Sequence, residues 1–215
     1  MKNIAIIGAS GFVGSALLKE ALNRGHRVTA IVRNPEKITL NHPNLTIKKG
    51  DVMIADSVED LLKGCDTVIS AFNPGWSNPM VYRDTQKAYS FIFEGAKKAG
   101  IKRIIIVGGV GSLFINGTRL IDMGVAEETI LPGAKSLAAL LYSLQKDEKE
   151  LDWVFFSPAA NIVFGERTGK FRLGKDDLIT DSEGKSYISV EDYALAMIDE
   201  IENPQHHFER FTIGY

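Results

Sequence analysis

An apolar run, Asn3-Ile-Ala-Ile-Ile7, ends in Gly8-Ala-Ser-Gly11-Phe-Val-Gly14 and passes at once into a helical pattern. No other feature limits the fold so tightly. A strand buried on both faces reads as a continuous apolar run. After the glycines, Val13, Leu17, Leu18, Ala21 and Leu22 recur at helical spacing, and Gly25 stops the helix. Glycine at 8 permits a tight turn, glycine at 11 lets a pyrophosphate approach the backbone, and glycine at 14 lets the helix lie close to the sheet. The free N–H groups and positive end of that helix then face the phosphates, and Ser10 offers a hydroxyl donor. The spacing is G-x-x-G-x-x-G rather than the commoner G-x-G-x-x-G. A glycine turn with only a packing role is the alternative.

The alternation continues along the chain. Strands are expected at 27–32, 45–49, 67–71, 103–107, 153–156 and 208–213, and helices at 57–63, 80–98, 135–150 and 190–202. Buried strands alternating with helices imply a parallel sheet covered on both faces, and right-handed crossovers make it doubly wound. Ligands of such sheets sit at the carboxyl ends of the strands. Residues 158–190 break the alternation and are expected to form a small C-terminal lobe over that edge, within one domain spanning 1–215.

Composition removes several function classes. A net charge of −2 supplies no basic field for nucleic acid. The lone Cys65 excludes a disulfide framework and a Cys-rich zinc site, and reads as core; His42, His206 and His207 are too scattered to hold a metal. No apolar run is long enough to span a membrane. Glycines break the apolar start before it could serve as a signal-peptide core, so a cytoplasmic location is expected.

The second strand ends Val32-Arg33-Asn34-Pro35, with no carboxylate before Glu36. A carboxylate there would bind the adenosine 2′-hydroxyl of NAD, whereas Arg33 can pair with the 2′-phosphate of NADP. NADP is therefore expected over NAD, with a merely surface-exposed Arg33 as the alternative. Asp51 and Val52, after the third strand, are placed to flank the adenine; Asp51 equally suits a turn or a helix cap.

At this point the chain resembles the short-chain dehydrogenase/reductase superfamily in its extended and atypical, epimerase/dehydratase-like branches. The resemblance is carried by GASGFVGSALLKEALNRGHRVTAIVRNP, by GDV at 50–52, DTVISAF at 66–72, GAKKAGIKRIIIVGG at 95–109 and ISVEDYALAM at 188–197. It covers nearly the whole chain and implies a Rossmann fold. It also implies cofactor contacts at Gly8, Ser10, Gly11, Phe12, Val13, Arg33, Asp51 and Val52, and at Ala71, Phe72 and Asn73 near the nicotinamide ribose.

The family's catalytic pattern is a Tyr-x-x-x-Lys pair with a Ser or Thr from the end of the fifth strand. Tyr142 and Lys146 have that spacing but fall too late in their helix. Counting back from Pro158 to the usual place puts Leu131 in the tyrosine position and Lys135 in the lysine position, where it would hold the ribose. Near the serine position stand Gly109 and Val110, and Ser112 substitutes only if its loop bends inward. Trp76 and Tyr82, with Phe72, are candidates to stack on a planar substrate or simply to roof the core. Asn161, Phe164, Arg167, Lys170 and Arg172 form either a rim over the nicotinamide or a solvated surface; Glu127 and Glu128 are expected to be exposed.

Three functions follow from the resemblance. The first is an NADPH-dependent reductase of a small planar acceptor, similar to the flavin reductase and biliverdin reductase B branch, delivering hydride without the usual tyrosine. The second is a non-catalytic NAD(P)-sensing regulatory protein. The third is an NAD-dependent epimerase or dehydratase, for which about 57 residues after Pro158 leave little substrate domain. The expected partner is the small-molecule acceptor. A homodimer through helices 80–98 and 135–150 would explain Tyr89, Phe91, Ile92, Phe93 and residues 137–142, as would burial within the monomer.

Overall fold

The computed structural model of the chain describes residues 1–124 and 126–215. In order along the chain come β1 (Asn3–Ile7), α1 (Phe12–Asn23), β2 (Arg27–Val32), β3 (Leu45–Lys49), α2 (Ala55–Leu62), β4 (Thr67–Ser70), α3 (Val81–Lys98) and β5 (Arg103–Val107). There follow β6 (Phe114–Ile115), β7 (Thr118–Arg119), α4 (Leu131–Asp147), β8 (Asp152–Ser157), β9 (Asn161–Val163), β10 (Arg172–Gly174), β11 (Tyr187–Ser189), α5 (Val190–Glu202) and β12 (Glu209–Gly214). Eight strands form one sheet in the order β10-β12-β8-β5-β4-β1-β2-β3. Every pairing from β12 to β3 is parallel, and only β10 runs antiparallel. This is the doubly wound Rossmann sheet expected from the alternation. Its strand order reverses between β1 and β4, which opens a crevice at their carboxyl ends.

Each strand feeds two cores because successive side chains point to opposite faces. Ile4 and Ile6 of β1 pack with Leu17, Tyr193, Met197 and Phe211 under α1 and α5. Ala5 and Ile7 pack with Val58, Tyr89, Ile104, Trp153 and Phe155 under α2, α3 and α4. Tyr89, Ile92, Leu140 and Leu141 are buried in this second layer and Phe91 and Phe93 pack against it, while Tyr142 is 66% exposed.

Three local differences from expectation have physical reasons. Helix α4 starts at Leu131 rather than 135, because Pro132 sits in its first turn, where a missing N–H breaks no helical bond. The segment 158–190 is divided: β9 and β11 pair with each other in parallel, while β10 extends the main sheet beside β12. The β6–β7 hairpin turns on Asn116 and Gly117, both at positive φ (50° and 80°), the Asn-Gly signature of a two-residue turn.

Helices α1 and α5 and the arm after β9 are tied by charge. Arg167 donates twice to Glu20 at 2.8 and 2.9 Å, and Arg24 bridges Glu20, Asp199 and Glu202. Burial pushes the Glu20 carboxyl up, but hydrogen bonds from Arg167 and Arg24 outweigh it and hold the group below its usual 4.5. Glu202 is lowered in the same way: burial opposes, and hydrogen bonds from His26 and Arg24 win. A carboxylate depressed on folding contributes stability that is present above its unfolded value and is lost as pH falls through its folded one. The thermal midpoint should therefore fall as the solution is acidified below about 4.5, and Glu20→Gln should flatten that fall. Calorimetry against pH checks this; a midpoint insensitive to acid would contradict it.

The remaining titratable candidates lie far from the crevice. Cys65 is half-buried just before β4, and burial raises its thiol. His206 Nδ1 lies 2.8 Å from Glu200 and His207 Nδ1 lies 2.9 Å from Asp152, and no metal-binding group occurs among the described residues. Among the described residues, no helix is long and apolar enough to cross a membrane.

Candidate functional site

The crevice between β1 and β4 is a groove of about 390 Å³ at the carboxyl edge of the sheet. Two of its glycines are dictated by backbone. Gly8 has φ +79°, and a Cβ there would lie 2.6 Å from Ala71 O. At Gly14 a Cβ would lie 2.1 Å from Gly8 O, so only glycine lets α1 sit this close to the turn. Gly11 differs, since its Cβ would meet only Gly8 O at 3.3 Å. Helix α1 starts at Phe12 with no side-chain cap and no acidic residue in its first turn. Its orphan N–H groups and positive end are thus available to an anion. The arrangement fits a dinucleotide pyrophosphate.

Gly8, Ser10, Gly11, Phe12, Val13, Arg33, Asp51, Val52, Ala71, Phe72 and Asn73 all line this one groove. Arg33 is exposed at its β2 end. Two polar side chains are partly engaged by their own turns: Asp51 Oδ1 accepts from Met53 N at 2.9 Å, and Asn73 Oδ1 accepts from Gly75 N at 2.7 Å. The other half of the groove is walled by Phe72, Trp76, Val107, Gly108, Leu137, Pro158 and Ile162. Val107 and Gly108 close the 95–109 motif and Pro158 ends the sixth predicted strand, but none of them is singled out there as a site residue; strand-end position for these three, and helical phase for Leu137, would have found them.

Phase also corrects the reading of α4. Gly133 touches Trp76 and Leu137 lines the groove, so these two face inward, four residues apart. Lys135 lies two residues from each, roughly 200° around the helix from Gly133, and is exposed. It does not line the groove. The inward register belongs to Gly133 and Leu137, not Leu131 and Lys135. Lys135→Ala is expected to leave cofactor affinity unchanged within about twofold, as for most surface substitutions. A larger loss in a binding titration would restore the lysine.

Ser112 is also turned away. Its hydroxyl accepts from Arg210 Nη1 at 3.0 Å and its carbonyl accepts from the same atom at 2.7 Å. Arg210 is itself paired with Asp176 and lies 5.8 Å from the Phe114 ring centroid, pinning the loop after β5 toward the far sheet edge. Asn161 donates to Ser186 O at 3.2 Å, and strand alternation puts its neighbour Ile162 in the groove instead. Phe164 is 75% exposed and meets Phe12 edge-on at 4.7 Å, at the cofactor turn rather than the acceptor end. Arg167 is held by Glu20, Arg172 by the Thr180 and Tyr215 carbonyls, and the exposed Lys170 lines a separate hollow with Tyr187 and Tyr215; none of the three lines the groove. Glu127 and Glu128 are exposed, and Tyr142 stands on the outer face of α4.

Among the described residues lining the groove, Arg33 and Asp51 are the charged ones; no tyrosine, lysine, histidine or cysteine joins them. Tyr89 and Tyr193 are fully buried, and burial raises both phenols well above their usual range. Tyr193 donates to Phe156 O at 2.6 Å, and Tyr89 accepts from Ser70 at 3.1 Å.

A protein family described as NAD(P)H-binding matches residues 8–204. YwnB of Bacillus subtilis, an uncharacterized protein, is 41% identical over 214 residues, which is 98% of this chain and 97% of that one. A crystal structure from Bacteroides thetaiotaomicron, provisionally described as an epimerase, is 59% identical with a TM-score of 0.94, covering 100% of this chain and 97% of that one. Another from Streptococcus pneumoniae, provisionally described as an NADH-flavin reductase, is 36% identical with a TM-score of 0.86, covering 100% and 99%.

Proposed function

The chain belongs to the NAD(P)H-binding family, and from that premise we propose that it is an NADPH-dependent reductase of a small planar acceptor, flavin- or quinone-like. The observation carrying this reading is the apolar half of the groove. Phe72, Trp76, Val107, Leu137, Pro158 and Ile162 offer apolar, partly flat surface, and no side chain among them can give or take a proton. A reduced nicotinamide, when bound, supplies a hydride. An acceptor suited to this site spreads the added charge over its own conjugated ring and takes its proton from water. Carbonyl reduction and epimerisation need a positioned acid or base, and the two inward positions of α4 hold glycine and leucine.

The chain's own residues act by binding and orientation. The uncapped start of α1 holds the pyrophosphate, Gly11 admits it to the backbone, and Ser10 donates to it. Arg33 meets the 2′-phosphate, which favours NADP over NAD. A charge-assisted bond of this kind contributes about 1.5–3 kcal/mol. Arg33→Ala should therefore weaken NADPH roughly 10- to 100-fold and leave NADH unchanged; equal losses for both would refute the assignment.

The experiment is NADPH and NADH oxidation by the purified protein, followed by absorbance with FMN, riboflavin and a quinone as acceptors. Oxidation with one of them is the expected result. Tight cofactor binding with no oxidation favours the second reading, an NAD(P)-sensing regulatory protein, which the same lack of acid–base residues supports. Turnover of a nucleotide-sugar would favour an epimerase, the provisional description of the Bacteroides protein. Binding of neither cofactor overturns all three.

A further inference from the structure

We propose that Gly133 determines which acceptors the groove takes, because its missing side chain seats the indole of Trp76 as the outer wall of the acceptor half. The proposal rests on the reductase reading above. A Cβ at Gly133 would lie 2.5 Å from Trp76 Cζ3 and 2.8 Å from Cε3, so the six-membered edge of the indole fills the space where any side chain on this turn would begin. Leu137, one turn on, lines the groove beside it and packs against Gly109. Trp76 is nonetheless 49% exposed, so much of its ring is open to a stacking partner.

The loop carrying Trp76 is built to hold it. Gly75 sits at φ +109°, Gly75 N donates to Asn73 Oδ1, and Asn78 N donates to Gly75 O at 3.2 Å. Asn78 in turn accepts from Met80 N at 2.9 Å and donates to Asp84 at 3.0 Å, anchoring the loop to the start of α3. A glycine early in a helix gives up helix propensity, and here the gain is contact with the indole. The wall so formed favours acceptors with an extended flat ring system, such as the three fused rings of a flavin, over single-ring or non-planar acceptors.

Gly133→Ala tests this with little risk to folding. Alanine is the better helix former, and the atom it meets is the far end of a side chain, which can move. The only other tryptophan, Trp153, is 1% exposed, so a change in solvent-exposed emission reports Trp76. Gly133→Ala should shift tryptophan emission to the red, and a Trp76→Phe background should abolish that shift. With NADPH as donor, both Gly133→Ala and Trp76→Ala should raise the KM for riboflavin about tenfold relative to the KM for benzoquinone. An unshifted emission, or an unchanged KM ratio in an active enzyme, overturns the proposal and leaves the reductase reading standing. If the wild type oxidises no NADPH, quenching of Trp76 by oxidised riboflavin decides. Quenching lost in Gly133→Ala retains the wall without the reductase; no quenching in the wild type rejects both.

Discussion

Replacing Gly14 by alanine is expected to abolish measurable NADPH binding and to lower the thermal midpoint by roughly 6–12 °C, the equivalent of about 3 kcal/mol in a chain of this size. The added methyl would lie 2.1 Å from Gly8 O and 2.8 Å from Gly8 C. Both are backbone atoms of a turn that is itself pinned, since Gly8 N donates to Ile31 O and Gly11 N donates to Gly8 O. Neither can yield without moving β1 or α1. Helix α1 must therefore swing away from the sheet, taking its orphan N–H groups out of the groove. Gly11→Ala separates packing from binding. Its methyl meets only Gly8 O, at 3.3 Å, and otherwise projects into open space. That variant should keep its midpoint within about 2 °C and still lose cofactor affinity, because the methyl stands where a phosphate approaches the backbone. If Gly11→Ala binds NADPH normally, the glycine turn has only a packing role.

The cofactor half of the site was legible because its signals are local. The strand, the glycines and the following helix lie within a single stretch, and their spacing encodes the turn directly. Strands β1, β2, β3 and β5 and helix α5 have the bounds that the apolar runs predict. The acceptor half depends on phase and on long-range partners, which no local pattern contains. Counting back from Pro158 lands on Leu131 and Lys135, two residues from the groove-facing Gly133 and Leu137, and in a helix two residues reverse the facing side. The sequence pattern starts this helix at 135, yet proline is tolerated in a first turn and Gly133 makes room for Trp76, so α4 begins at Leu131. For Arg167 the sequence leaves a rim and a solvated surface both open, because its partner Glu20 lies 147 residues earlier. The hydroxyl of Ser112 is claimed by Arg210, 98 residues away, a partner that no local pattern around Ser112 encodes. One missed element did have a local signal, the Asn116-Gly117 turn of the β6–β7 hairpin.

Asp192→Ala should cost about 1–3 kcal/mol and should loosen the arm that follows β9, the strand that brings Ile162 to the groove. Asp192 is fully buried with no cationic partner, and its carboxylate accepts from Thr168 Oγ1 at 2.5 Å, Gly169 N at 2.9 Å and the Tyr215 hydroxyl at 2.7 Å. It lies in the first turn of α5, where the helix dipole favours negative charge. Its own N–H donates to Ser189 Oγ at 3.0 Å, half of a capping box. One residue thus joins three pieces of chain: the start of α5, the C-terminal tyrosine and the arm that follows β9. Alanine removes the acceptor of all three donors, but Thr168 and Gly169 are exposed to water and the Tyr215 hydroxyl keeps Ser189 Oγ at 2.8 Å, so the loss falls well below that of three buried donors. Asparagine keeps one acceptor oxygen but turns an NH₂ toward the remaining donors, so Asp192→Asn should fall between wild type and alanine. Because the arm continues directly from β9, whose Ile162 lines the acceptor wall, while the glycine turn is built elsewhere, KM for the acceptor should rise more than the dissociation constant for NADPH. Hydrogen exchange resolves the cause: protection should drop at 165–170 before it drops in β1 or β4. A loss spread evenly over the chain would mean that Asp192 supports global stability alone and does not position the groove.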